Sequence, residues 1–263
     1  MAEPWQELKD LDRAEILSFV FYPRRDIGDI PRVPNAESCF IPVDDNVTIS
    51  CRFYMGEPGY SNVLYFHGNG EIASDYDEIG AIFNGIGINL FVADYRGYGS
   101  SGGSPTLSSM IKDAHPIYKG FKVVLGEQGY SGKIFIMGRS LGCTSAIELA
   151  YHYQDELSGM IIESGIANMF KLMSYVGFPI ALLGIDDTKT PTSLELIRKI
   201  KIPTLILHGE FDQIVPVEEG KTNYENVAAK DKRLVIIPGV DHNTIFALGA
   251  NQYLEALKEF VNA

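Results

Sequence analysis

Short apolar runs recur along the chain, at residues 63–66, 88–93, 133–137, 159–162, 204–207 and 233–237. Between most of them the hydrophobic positions change to helical spacing, over 75–85, 107–127, 141–153 and 217–229, and a last helix fits 243–261. Near-continuous apolar strands joined by helical crossovers predict a mostly parallel sheet covered on both faces. Ahead of this region, residues 36–43 and 47–55 are rich in β-branched and aromatic side chains and are separated by Asp44, Asp45 and Asn46, so they read as a hairpin. A helix is expected at the N-terminus, followed by a Pro- and Asp-rich stretch over 23–35.

One interval breaks the rhythm. Residues 166–202 are longer than a simple crossover requires, and the stretch Met169 to Gly184 is apolar and contains methionine. It reads as a small lid insertion over a pocket or, equally, as an extra buried helix. There is no repeat or break in composition, so 1–263 is expected to be one domain.

In sheets of this kind ligands bind beyond the carboxyl ends of the strands, so the residues just after each apolar run matter most. Gly138-Arg139-Ser140-Leu141-Gly142 follows one such run and opens a helix. A serine there sits on a tight strand-to-helix turn that glycines on either side permit. A hydroxyl needs a base, and the base needs a group to orient it. His67 and His115 precede Ser140, His152 lies on the following helix, and His208 precedes the candidate acid. His242, in Gly239-Val-Asp-His-Asn243, follows both. The candidate acid is Asp212, in the loop after the 204–207 run, with Glu163 in reserve. The oxyanion donors are expected to be the backbone N–H groups of Leu141 and of Asn69, in the loop His67-Gly-Asn-Gly-Glu71, with Gly70 in reserve. His67 reads as a residue that holds this loop.

Five segments together, YFHGNGE at 65–71, DYRGYGSSGG at 94–103, GRSLG at 138–142, HGEFDQIVP at 208–216 and GVDHN at 239–243, resemble the α/β-hydrolase superfamily, in its compact esterase- or thioesterase-like branch. The resemblance implies an eight-stranded sheet whose second strand is antiparallel. It also implies the order serine, acid, histidine. It leaves open an ester or thioester hydrolase, a peptidase or amidase, and a non-catalytic binding protein of the same fold.

Charge and composition narrow the partners. The net charge of −12 and the pI near 4.9 disfavour nucleic acid and anionic membrane surfaces. The run Ile16 to Tyr22 is too short to span a bilayer and reads as a packed segment. Three cysteines at unrelated spacings suit a reduced cytoplasm, and nothing specifies an oligomeric state. Gly97 to Gly102 matches a dinucleotide fingerprint but lies too late in the chain, and no metal-ligand array is evident, so neither cofactor nor catalytic metal is expected. The expected substrate is a small acyl compound with an uncharged chain. Met169, Phe170, Met173 and Phe178 are the expected wall of its site.

Overall fold

The computed structural model describes residues 11–26, 28, 30–175, 177–178 and 193–263. Its strands are β1 (Ala36–Asp44), β2 (Val47–Tyr54), β3 (Ser61–Phe66), β4 (Ile88–Ala93), β5 (Ile134–Arg139), β6 (Gly159–Glu163), β7 (Thr204–Gly209) and β8 (Lys232–Ile237). They form one sheet in the order β1-β2-β4-β3-β5-β6-β7-β8. β2 pairs antiparallel with both of its neighbours, and β3 to β8 are mutually parallel. This is the eight-stranded, mostly parallel sheet that the run pattern and the resemblance imply. The turn between β1 and β2 is tighter than the sequence suggests, because Asp44 pairs with Val47 inside the ladder.

Every residue of β3, β4, β6 and β7 is buried, as expected of strands covered on both faces. Alternate side chains feed two cores. Leu64, Phe66, Ile136 and Ile206 face one layer, made of α1 (Ala14–Val20), α3 (Leu107–Gln128) and α4 (Cys143–His152). Val63, Tyr65, Phe135 and Leu205 face the other, made of α2 (Asp77–Gly85) and α8 (Ile245–Val261). The N-terminal apolar run is packed, with Ile16, Val20 and Phe21 buried in the first core.

Three more helices complete the described chain: α5 (Met169–Tyr175), α6 (Ser193–Ile197) and α7 (Val217–Asn226). α5 and α6 lie in the interval 166–202, whose residues 179–192 are outside the described part. No described helix is long and apolar enough to cross a membrane.

The connection from β5 into α4 sets a strict steric condition. Ser140 has φ +50°, a left-handed backbone that a side chain rarely adopts. A Cβ on Gly142 would lie 2.1 Å from the Phe66 carbonyl oxygen, and one on Gly138 would lie 2.6 Å from the Cys143 Cα. Both obstacles are backbone, so neither can rotate away. By contrast, nothing lies within 4 Å of a Cβ on Gly126, inside α3. Gly142→Ala is therefore expected to destabilise the protein by about 3 kcal/mol, and Gly126→Ala to stabilise it by about 0.5–1 kcal/mol. Urea unfolding of the two variants checks both signs.

Candidate active site

Three loops meet above the carboxyl edge of the sheet. The first is the turn at Ser140, between β5 and α4. The second follows β7 and carries Asp212. Its Oδ1 accepts from the backbone N–H groups of Ile214 at 3.0 Å and Val215 at 2.8 Å, which fixes the carboxylate plane. The third follows β8 and carries His242, whose Nδ1 lies 2.7 Å from Asp212 Oδ2. Ser140, Asp212 and His242 are all buried. Burial alone would raise the Asp212 carboxyl, but the His242 hydrogen bond and charge and the Val215 N–H outweigh it and hold it below its ordinary value. Asp212 therefore stays ionised beside the imidazole.

The other histidines and acids have separate duties. His208 places Nε2 2.8 Å from the Val215 carbonyl, and its burial pushes its pKa down. Asp241 is fully exposed and accepts from the Asn243 and Thr244 N–H groups, both at 2.9 Å, so it caps the turn into α8. Glu210 accepts from Gly239 N–H at 3.0 Å. Glu163, the reserve acid, is bonded into a buried polar group rather than to His242. It accepts from Tyr253 Oη at 2.7 Å and Arg139 Nε at 3.0 Å, and burial raises its pKa.

The loop over 67–71 is held from four sides. His67 Nε2 lies 3.0 Å from Asp94 Oδ1, and Tyr95 Oη donates to the His67 carbonyl at 2.6 Å. Asn69 Oδ1 accepts from Tyr98 Oη at 2.7 Å and from Tyr22 N–H at 3.0 Å, while its Nδ2 donates to the Val20 carbonyl at 2.5 Å. The Asn69 side chain is thus committed to structure, and only its backbone N–H remains relevant to an oxyanion. These contacts also explain the segment 94–103. Its glycines serve packing, since a Cβ on Gly99 would lie 2.1 Å from Asp94 Oδ2.

Ser140, Leu141, His242 and Asn69 all border a cavity of about 520 Å³. Of the expected acyl wall, Met169 and Met173 line it, together with Leu172. Phe178 does not. Its ring packs on Phe19, with centroids 4.5 Å apart, and Phe19 is the residue that reaches the cavity. The side chain of Phe170 lies outside the described residues, as do Leu182 and Leu183. The remaining apolar wall comes from Phe19, Val20, Ile166, Ile214 and Val215. The N-terminal contribution was not foreseen, and its one signal is the apolar run at 16–22.

Arg139, the variable position of the serine motif, was also missed. It pairs with Glu71 and Glu163 and donates Nη2 to the His242 carbonyl oxygen at 2.6 Å. One buried guanidinium thereby ties the serine turn, the 67–71 loop and the histidine loop together. Burial disfavours its charge, but the two carboxylates more than compensate and keep it protonated. The same charge holds Glu71 below the ordinary carboxyl range against the opposing effect of burial.

With this geometry established, comparison with known proteins adds the lineage. The family described as serine aminopeptidase, S33, matches residues 60–185 and 188–248. The chain belongs to this α/β-hydrolase family. The hydrolase is 29% identical over 242 residues to the human alpha/beta hydrolase domain-containing protein 17B, across 88% of this chain and 77% of that one. It is 30% identical over 241 residues to the Xenopus tropicalis protein of the same name, with the same coverage. Its fold matches the Pyrococcus furiosus esterase Pf2001, with TM-score 0.72 at 21% identity over 91% of this chain and 98% of that one. It also matches Est1E from Butyrivibrio proteoclasticus with bound ferulic acid, with TM-score 0.67 at 22% identity over 84% and 97%.

Arg139→Met would leave Glu71 and Glu163 without their shared cation and release the His242 loop. A loss of about 3 kcal/mol in unfolding free energy is expected. Arg139→Lys, which keeps the charge but not the planar fork, should lie between. Urea titrations of the three proteins check the order.

Proposed function

We propose that this hydrolase cleaves a carboxylic ester or thioester through an acyl intermediate on Ser140. The observation that carries the reading is the placement of Ser140 and His242 on one cavity, with His242 Nδ1 2.7 Å from an ionised Asp212. With Nδ1–H directed to the carboxylate, Nε2 is the basic nitrogen. Ser140 Oγ attacks the acyl carbon while His242 takes its proton. The backbone N–H groups of Leu141 and Asn69 receive the oxyanion, and His242 returns the proton to the leaving oxygen or sulfur. Water then repeats the sequence on the acyl-serine. Acidification stops the reaction, because an imidazolium cannot accept the serine proton.

The lining favours an ester or thioester over an aminopeptidase substrate. A free α-ammonium group requires an unengaged carboxylate. The carboxylate that borders the cavity, Glu71, is already occupied by Arg139, by Tyr76 Oη at 2.7 Å and by Gly68 N–H at 2.8 Å. Phe19, Val20, Ile166, Met169, Leu172, Met173, Ile214 and Val215 give the cavity an apolar side that includes two methionines, which suits an uncharged acyl chain of irregular shape. The interval 166–202 is proposed as a small lid, with α5 and α6 as its described helices. The three cysteines are free, buried thiols, which supports a reducing, cytoplasmic setting.

Ser140→Ala is expected to abolish labelling by a fluorophosphonate probe and to lower kcat by about a thousandfold or more, with an unchanged melting transition. Wild-type turnover in that variant overturns the mechanism. A silent wild-type protein would instead favour the non-catalytic binding reading.

The acyl wall is tested by replacing Met169, Leu172 and Met173 together with serine. Wild type should gain up to about fourfold in kcat/KM for each methylene that is buried, the equivalent of about 0.8 kcal/mol. The triple variant should lose this gradient across a p-nitrophenyl ester series while keeping acetate hydrolysis. A preserved gradient would assign the chain to another wall.

A further inference from the structure

A second group of chemistry-bearing side chains lies away from the hydrolytic site, on the layer that covers the other end of the same helix. Glu148 and His152 are four residues apart on α4 and so share one face. His115 meets them from α3. His152 Nε2 lies 2.9 Å from Glu148 Oε1, and His115 Nε2 lies 3.2 Å from the same oxygen. One donor atom from each of the three residues lies within 4.8 Å of the other two. Neither the reaction above nor any sequence motif uses them. No metal-ligand array was evident along the chain, because His115 comes from a different helix than Glu148 and His152.

We infer that His115, Glu148 and His152 form a binding site for a divalent transition metal, with zinc as the ion that fits best. Three observations carry this. The Glu148 side chain is completely buried, and its Oε2 has no hydrogen-bond partner among the described residues. A buried carboxylate oxygen without a donor is costly, and two imidazoles crowd the other oxygen instead of sharing the load. Second, the donor-to-donor distances of 2.9 and 3.2 Å approach the edge of about 3.3 Å in a tetrahedron with metal–ligand bonds of about 2.0–2.1 Å. Third, the remaining ring nitrogen of His115 is anchored, with Nδ1 3.1 Å from Tyr153 Oη. Such an outer contact orients a ligating imidazole and leaves Nε2 for the metal.

Two imidazoles and a carboxylate suit zinc, copper or nickel better than the hard, oxygen-seeking magnesium or calcium. The histidine side chains are 22% and 32% exposed, so water reaches the fourth position. Bound there, the ion would fasten the last turn of α4 to the middle of α3. Its α4 members lie about 8 and 14 Å along the helix from the end that carries the nucleophile turn. Its role is to brace the helix behind Ser140, and no part of it touches the acyl cavity.

The full-length protein is stripped with EDTA, desalted and titrated with Zn²⁺ by calorimetry. The expected result is one ion per chain with micromolar or tighter affinity, and a rise in Tm of about 5 °C under a hundredfold excess over Kd. His115→Ala and His152→Ala should each weaken binding at least tenfold. Their Tm without metal should fall, because each loses a partner of the buried Glu148, so the readout is the rise in Tm on adding Zn²⁺ to each protein, which the variants should lose. Fluorophosphonate labelling should be intact in both variants and in the stripped protein. Co²⁺ should give the intense visible absorption of a four-coordinate centre in wild type and in Ser140→Ala, and lose it in the histidine variants. Absence of zinc binding at micromolar metal overturns the inference. So does zinc binding that is undiminished in the His115→Ala/His152→Ala double variant, and in either case the trio is a hydrogen-bonded staple alone.

Discussion

The crossing of the nucleophile turn over the strand beside it constrains the rest of the molecule. α4 must leave β5 and pass so close to the end of β3 that Gly142 faces the Phe66 carbonyl with no space for a side chain. The backbone accommodates this by placing Ser140 in the left-handed region. That strain lifts one hydroxyl out of the sheet edge and brings the following N–H groups to the same side. It also sets the loop after β3 directly beside the serine, because the loop grows from the strand that the helix nearly touches. The proposed nucleophile and the proposed oxyanion loop thus come from one local condition.

The loops above the sheet are held by polar networks rather than by apolar packing. Arg139 leaves the nucleophile turn and reaches both Glu71 and the His242 carbonyl, so a single side chain keeps three loops in register. His67, Tyr95 and Tyr98 hold the loop after β3 from below, through Asp94 and Asn69. Charged groups at this depth are tolerable only when each is paired. Among the described residues, Glu148 Oε2 on α4 is a buried carboxylate oxygen with no hydrogen-bond partner, and the proposed metal site rests in part on it. In the low-dielectric interior such pairs are also directional, which suits loops whose reacting atoms must stay aligned.

The cavity over this machinery is assembled from parts distant in the chain. α1 and the residues after it form one wall, α5 another, and the loop after β7 a third. Asn69 joins the first of these to the oxyanion loop by binding the Val20 carbonyl and the Tyr22 N–H. In the proposed mechanism, the acyl wall and the oxyanion loop therefore share a residue. A shift in the N-terminal segment would disturb both.

The strands, and the loops after them that bring Ser140, Asp212 and His242 together, were legible in the sequence. Each depends on local backbone geometry or on periodic burial, and both leave marks on neighbouring residues: glycines on either side of Ser140, unbroken apolar runs in β3 and β4, and Asp212 and His242 just beyond strand ends. What only the tertiary structure decided is different in kind. Whether Phe178 or Phe19 reaches the cavity depends on which of two packed rings lies nearer the sheet edge. Arg139 occupies a position that the turn itself leaves free, so its role appears only when Glu71, Glu163 and His242 are brought around it. His115 and the pair Glu148 and His152 are separated by 33 residues and by a strand, and no spacing joins them. Contacts between distant elements are fixed by how helices settle on a sheet, and that depends on the whole core at once.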